Sequence, residues 1–443
     1  MSALHEIASI TPLPEFDIFT VPPTQLTVDR DLVTEHRPIS ILNSNSVIQF
    51  VIPTAVDEYL QLTETLLNLK LKINIKKKTG SGNITDAEWN KITPVNNFLH
   101  SIFKQVDLEI EGKSITLAPQ TYAYKAFFET LLGFTEDAKN SYLSASGWYN
   151  DSSDKTFQTS RTSILKPNPI AGSGEGKIIK LMGKLHLDLA FQPKAILGGT
   201  TIKLTLVPND PAFYLFTSDT SIVPEVVFES VSLYVHRSKV NFPIVEGHNL
   251  ALNKQTAKYP ICRSNVKSFT ISSGTVNASI DNAISGQLPR RIFIAMVPND
   301  AFTGVLNKNP FDFKNYKLNY IATYIDGVQY PSKPYQPNFD KNLTLREYLG
   351  LFESLNQLTT DSALTLKHTE WIAGNTIFGF NFSPDTSDDC NKVGYVSPIK
   401  RGTLRIDLRF AEAMTETINV LVFCEYDNLI EIDITRNAIT DYM

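Results

Sequence analysis

Tyr124-Lys-Ala-Phe-Phe-Glu-Thr-Leu131 and Tyr348-Leu-Gly-Leu-Phe-Glu-Ser-Leu355 read as two versions of one helix. In the first, Tyr124, Phe127, Phe128 and Leu131 fall at i, i+3, i+4 and i+7. In the second, Tyr348, Leu351, Phe352 and Leu355 do the same, and each set lies on one helical face. The second helix opens on Thr344 with Glu347 three residues on, the pattern of a capping box. The two octets stand 224 residues apart in a chain of 443, so the reading works outward from a suspected duplication.

Other blocks follow in the same order at similar spacing. Val47–Ile52 pairs with Val266–Ile271, Leu69–Ile73 with Ile292–Met296, and Ile110-Glu-Gly112 with Ile325-Asp-Gly327. Gly183–Phe191 pairs with Gly402–Phe410, and Val231–Arg237 with Ile430–Arg436. Val207-Pro-Asn-Asp210 and Val297-Pro-Asn-Asp300 are also alike, but nothing collinear accompanies them, and both read as strand ends entering a turn.

Almost everything outside the two helices alternates with period two, as half-buried strands must. Leu69, Leu71, Ile73 and Ile75 alternate with Lys70, Lys72, Asn74 and Lys76. The same pattern runs through Leu185–Phe191, Val231–Val235, Leu404–Phe410 and Ile430–Ile434. Clusters of Gly, Asn, Asp and Pro separate these runs. The fold class that follows is all-β: two tandem eight-stranded antiparallel jelly-roll sandwiches with one short helix in each. The expected layout is an N-terminal arm over 1–39, marked by Pro12, Pro14, Pro22 and Pro23; a first jelly roll over 40–240; a connector over 241–258; a second jelly roll over 259–435; and a tail over 436–443. Long irregular segments, Phe134–Lys180 and Asn356–Arg401, follow the helices.

The bulk chemistry narrows the function. Hydrophobic residues make up 42% and charged residues 20%, with a net charge of −5, which is ordinary for a packed protein and offers no overall pull on nucleic acid. Cys262, Cys390 and Cys424 are too few and too dispersed for a zinc site or disulfide framework. That cysteine usage points to a reducing compartment, the start, Met1-Ser-Ala-Leu-His-Glu-Ile7, lacks the pattern of a signal peptide, and no apolar run is long enough to span a membrane, so secretion is not expected. On that expectation the sequons at Asn83, Asn150, Asn277, Asn342 and Asn381 go unused.

No catalytic, cofactor-binding or metal site is assigned, and no cofactor is expected. Gly172-Ser-Gly-Glu-Gly176-Lys177 fails the phosphate-loop spacing and reads as a flexible loop. His186 and Asp188 share a strand face, which suggests either a metal or, more simply, a solvated surface. Asp388-Asp389-Cys390 reads as an exposed loop, and Ile196-Leu-Gly-Gly199-Thr200, which has the small residues of a protease cleavage site, as a hairpin turn. Lys70, Lys72, Lys76, Lys77 and Lys78 could touch DNA or an acidic neighbour, or simply protect a strand edge.

With those residues in view, the chain resembles the double jelly-roll major capsid proteins of double-stranded DNA viruses, and most of all those of Polinton/Maverick elements and adintoviruses. The resemblance runs from about residue 40 to the end. It is carried by Asn309-Pro-Phe-Asp-Phe313, by Tyr324-Ile-Asp-Gly327 with Pro331 and Pro334, and by Gly183–Phe191 leading to Val207–Asp210. It implies a structural, non-enzymatic protein located in the virion capsid and made in the host cytoplasm or nucleus. The implied partners are its own copies, as a homotrimeric pseudo-hexagonal capsomer tiling an icosahedral shell, then a single jelly-roll penton protein, minor capsid proteins and, at most weakly, the packaged double-stranded DNA. The competing expectations are a tandem jelly-roll enzyme and a carbohydrate-binding module.

Overall fold

Leu67, Leu69, Leu71 and Ile73 are wholly buried, while the lysines between them turn toward solvent. The period of two is therefore realised along a single 20-residue strand, and the rest of the chain follows suit. The computed structural model describes residues 13–43, 46–78, 86–116, 120–149, 176–219, 221–358, 364–386, 388 and 390–442. The loop from Gly172 to Glu175, Asp389, and the sequons at Asn83 and Asn150 lie outside these.

The strands are β1 (Val28–His36), β2 (Ile48–Pro53), β3 (Glu58–Lys77), β4 (Ile92–Pro94), β5 (Phe103–Ile110), β6 (Lys113–Ser114), β7 (Lys177–Lys184), β8 (Thr201–Pro208), β9 (Leu215–Thr217) and β10 (Ile222–Val240). The second half adds β11 (Ala257–Ile271), β12 (Asn277–Gln287), β13 (Arg291–Pro298), β14 (Leu318–Ile325), β15 (Val328–Tyr335), β16 (Ile377–Asn381), β17 (Arg401–Phe410), β18 (Ile418–Ile432) and β19 (Ala438–Thr440). The sheets are ordered β1-β10-β3-β7 and β2-β8-β5-β6, then β11-β18-β13-β16 and β12-β17-β14-β15. With the small β4–β9 pair set aside, each half has the same order. The first strand lies beside the eighth, then the third, then the sixth; the second lies beside the seventh, fourth and fifth. Every pairing in these four sheets is antiparallel. This is the jelly-roll wiring, present twice.

The duplication reaches into single turns. Glu111-Gly112 joins β5 to β6 and Asp326-Gly327 joins β14 to β15, each pair with both φ angles positive (48° and 76°; 48° and 85°). That is the two-residue turn whose twist suits a tight hairpin. Thr201 O accepts from the Glu111 amide and Thr403 O from the Asp326 amide, both at 3.0 Å. The helices α1 (Tyr122–Gly133) and α3 (Leu345–Ser354) fill the same place in each half, between β6 and β7 and between β15 and β16.

Several expectations need correction. Val28–His36, placed in the arm, is strand β1; its Val-Asp-Arg-Asp-Leu-Val-Thr-Glu-His sequence carries little apolar signal because backbone bonds to the edge of β10 hold it. The connector contains helix α2 (Phe242–Leu252), hidden in the sequence by Pro243 and Gly247 and burying only Val245 and Leu252. The tail supplies β19, paired to β18. The segment 356–401 includes β16, whose Ile-Phe-Gly-Phe-Asn is buried on both faces and so does not alternate. Strand β7 ends at Lys184, not Phe191, and Asp188–Ala190 is a 3₁₀ turn. Two block pairings therefore join strands that are not equivalent: Val47–Ile52 lies in β2 but Val266–Ile271 in β11, and Gly183–Phe191 ends β7 whereas Gly402–Phe410 is β17. Val231–Arg237 and Ile430–Arg436 share the eighth-strand position only in part, since β18 stops at Ile432. The capping box at Thr344 does not form: Glu347 is buried and accepts from the Gln336 amide, and the Thr344 hydroxyl bonds His368. Ile196–Thr200 is not a hairpin, because it links β7 and β8 of different sheets; Ile196 and Leu197 are buried there.

Candidate functional site

The sequence marked α1 as amphipathic, yet nine of its twelve residues are buried, against four of ten in α3. The difference arises because α1 lies between the two sandwiches. Its outer face meets the second half through stacked rings. Phe127 lies 4.3 Å from Phe311 with planes 5° apart, and Phe128 lies 5.3 Å from Phe313 at 3°. Phe128 also stacks on Phe423 of β18, and Tyr124 on Phe302. Phe213 and Trp148 close the cluster from the first half. Each such pair contributes roughly 0.5–1.5 kcal/mol beyond its buried area. Asn309–Phe313, read from sequence only as a pattern, is thus the second half's contribution to the seam, with Asn309 Oδ1 accepting from the Phe311 amide at 3.0 Å.

A polar layer runs beside the rings. Lys125 Nζ is 2.5 Å from Asp188, and Glu129 is 2.6 Å from His186 Nδ1. Ser264 of β11 donates to Glu129 through its hydroxyl and to Asp188 through its amide at 3.3 Å. The Thr121 hydroxyl donates to Val266 O at 3.1 Å. Burial favours a neutral Glu129, but Lys125 first, then His186 and Ser264, outweigh it and hold the carboxyl below its ordinary range. Burial likewise opposes the Lys125 charge, and Asp188 and Glu129 overcome it. His100, edge-on to His186, is kept neutral by burial and by that neighbour. His186 and Asp188 are therefore neither on a strand nor solvated, which corrects the solvated-face reading. Among the described residues no group of three or more His, Cys, Asp or Glu side chains is placed to hold a metal ion.

The seam is also tied at its margins. Arg436 Nε donates to Gly198 O at 2.9 Å, Tyr259 Oη accepts from the Leu197 amide at 3.1 Å, and Tyr442 Oη donates to Ile115 O at 2.8 Å. A cleft of about 870 Å³ opens beside α1, with Lys104, Lys267 and Tyr124 among its lining residues and no carboxylate among the described ones. Three of the five lysines at the end of β3 are paired on their own chain: Lys70 with Glu229, Lys76 with Glu225 and Lys77 with Glu88. Cys390 is buried in a short helix, Cys390–Val393, rather than exposed in a loop, and Asp388 contacts Arg291 at 3.3 Å. No helix is long and apolar enough to cross a membrane among the described residues.

The architecture defines a double jelly-roll protein. Among solved structures the chain is similar to one from the Sputnik virophage, with a TM-score of 0.63 over 99% of this chain and 94% of that one at 11% identity. It is also similar to the Faustovirus major capsid protein (TM-score 0.57, 94% and 93% covered, 8% identity) and to the mavirus major capsid protein (0.54, 99% and 96%, 12%). In sequence it is 26% identical over 433 residues to an uncharacterised protein of Caenorhabditis elegans, covering 95% of this chain and 99% of the relative. No protein-family profile matches it.

Proposed function

We propose that this chain is a viral-type major capsid protein with a structural and non-enzymatic role. The observation that carries the proposal is the pair of identically wired sandwiches held side by side by the ring seam. Such a body presents two similar flanks, so three copies about an axis give six, the geometry of a pseudo-hexagonal capsomer in an icosahedral shell. Solved relatives of the same fold include capsid proteins, which supports the reading. The titratable groups of the seam are buried and engaged with one another, which favours a structural role over the enzyme and carbohydrate-binding alternatives. Within that class, the motifs at Asn309–Phe313 and Tyr324–Gly327 favour a Polinton/Maverick or adintovirus-like origin. The jelly rolls run over 28–240 and 257–440. A single jelly-roll penton protein and minor capsid proteins complete the virion shell, assembled from chains made in the host cytoplasm or nucleus. Contact with packaged double-stranded DNA is weak, because the β3 lysines are largely matched by glutamates.

The test is to purify the full chain and follow it by sedimentation and electron microscopy. Trimers that build hexagonal arrays or shells are the expected result. A chain that remains monomeric at assembly concentrations overturns the proposal.

A further inference from the structure

The contact between the halves has a twin on the same chain whose side chains are exposed among the described residues. Aligned by their shared octet, Lys125, Phe128 and Glu129 of α1 correspond to Leu349, Phe352 and Glu353 of α3, and Thr121 corresponds to Leu345. Thr121 and Glu129 of the first group meet β11 across the seam, and Phe128 stacks on Phe423 of β18. In the second group Leu345 is 60% and Leu349 48% exposed, and Glu353 is exposed as well.

The receiving strand has a twin too. β11 and β1 are both first strands on the edge of the same kind of sheet. Leu69 faces Val231 across the first half's ladder as Ile292 faces Cys424 across the second's, so Val231 and Cys424 are equivalent. Stepping along those strands, Leu233 takes the place of Tyr426. Their partners in the first strands, His36 and Arg263, are then equivalent as well. Arg37 accordingly stands where Ser264 does, and Ile39 where Val266 does. Arg37 is exposed, Ile39 is 66% exposed, and Val33 of β1 is 57% exposed. Glu129 accepts from Ser264 within the chain; its twin Glu353 would meet the guanidinium of Arg37, an opposite charge.

We propose that the outer face of α3 in one copy, Leu345, Leu349 and Glu353, packs on β1 and the following Arg37–Ile39 of a second copy, repeating between chains the contact that α1 makes with β11 within one. The contact is head-to-tail, so it closes into a ring when the rotation it imposes divides the circle. Alternating internal and intermolecular seams of one geometry place six sandwiches in a ring of three chains. This inference rests on the capsid reading and names the surface that reading requires.

The test uses the full-length chain in mass photometry and sedimentation. Leu349→Asp and Ile39→Asp are each expected to leave monomers that keep the parent's far-ultraviolet circular dichroism and unfold in one cooperative transition, since both side chains are exposed in the single chain. Glu353→Arg and Arg37→Glu are each expected to weaken trimers by on the order of five- to tenfold, and the double reversal to restore them. A disulfide formed between Leu345→Cys in one tagged copy and Ile39→Cys in a differently tagged copy, the twin of the Thr121–Val266 contact, reports the interface directly. Trimers that survive both aspartate substitutions, or a double reversal that fails to rescue, overturn this interface while leaving the capsid reading standing. A parent chain that never leaves the monomer overturns both.

Discussion

Phe311 joins the two halves directly: it is fully buried and stacked on Phe127. Phe311→Ala leaves a cavity between the sandwiches and is expected to cost about 3–5 kcal/mol, read from the midpoint of denaturant unfolding. Two buried charges give the chain a pH signature. Glu129 is held below its ordinary carboxylate value, so its contribution is fully present above that ordinary value and is lost as the pH falls from there through the depressed one. Glu129→Gln should flatten the acid limb of a stability–pH profile. Lys139 is the opposite case. Burial lowers it from 10.5 to about 8, with its Nζ donating to Leu131 O. Between those values the unfolded chain binds the extra proton, so stability rises with pH across that window, by roughly 3 kcal/mol in all. Lys139→Met should abolish that rise, and the ammonium should titrate near pH 8 by NMR of a labelled lysine.

At the scale of elements, the paired hairpin turns make a controlled comparison. Gly112 and Gly327 hold positive φ, with open space where an added methyl would sit, so Ala at either should cost about 1 kcal/mol through the backbone alone. At Gly198 an added Cβ would lie 2.3 Å from Val56 O, so Gly198→Ala should cost more; thermal melts of the three variants check the order. These turns were legible in the sequence, because Ile-[Glu/Asp]-Gly after an alternating run has only one economical conformation. Helices α1 and α3 were legible for the same reason, as was the edge-to-core alternation of β3. What failed was anything whose residues answer to long-range partners. Strand β1 is polar and held by its backbone; β16 is buried on both faces; His186 and Asp188 sit where a strand was expected because Glu129 and Lys125 draw them inward. The seam itself was half visible. Asn309–Phe313 and the α1 rings were both picked out, but nothing in their spacing says that they stack on each other.

For the whole molecule, a seam of this kind predicts that the sandwiches melt together. Calorimetry of the isolated chain should give a single transition, and Phe127→Ala combined with Phe311→Ala should split it in two; two transitions in the parent chain would mean that the halves are energetically separate. Coupled halves also make the chain a poor candidate for separate expression, since each would expose the rings the other covers. The ring-to-ring weld has a mechanical corollary as well. A tile made of two lobes that cannot rock against each other has no internal flexure, so any curved surface built from it must take its bend at the joints between tiles. Under load such a wall would crack along those joints while the tiles themselves stayed whole.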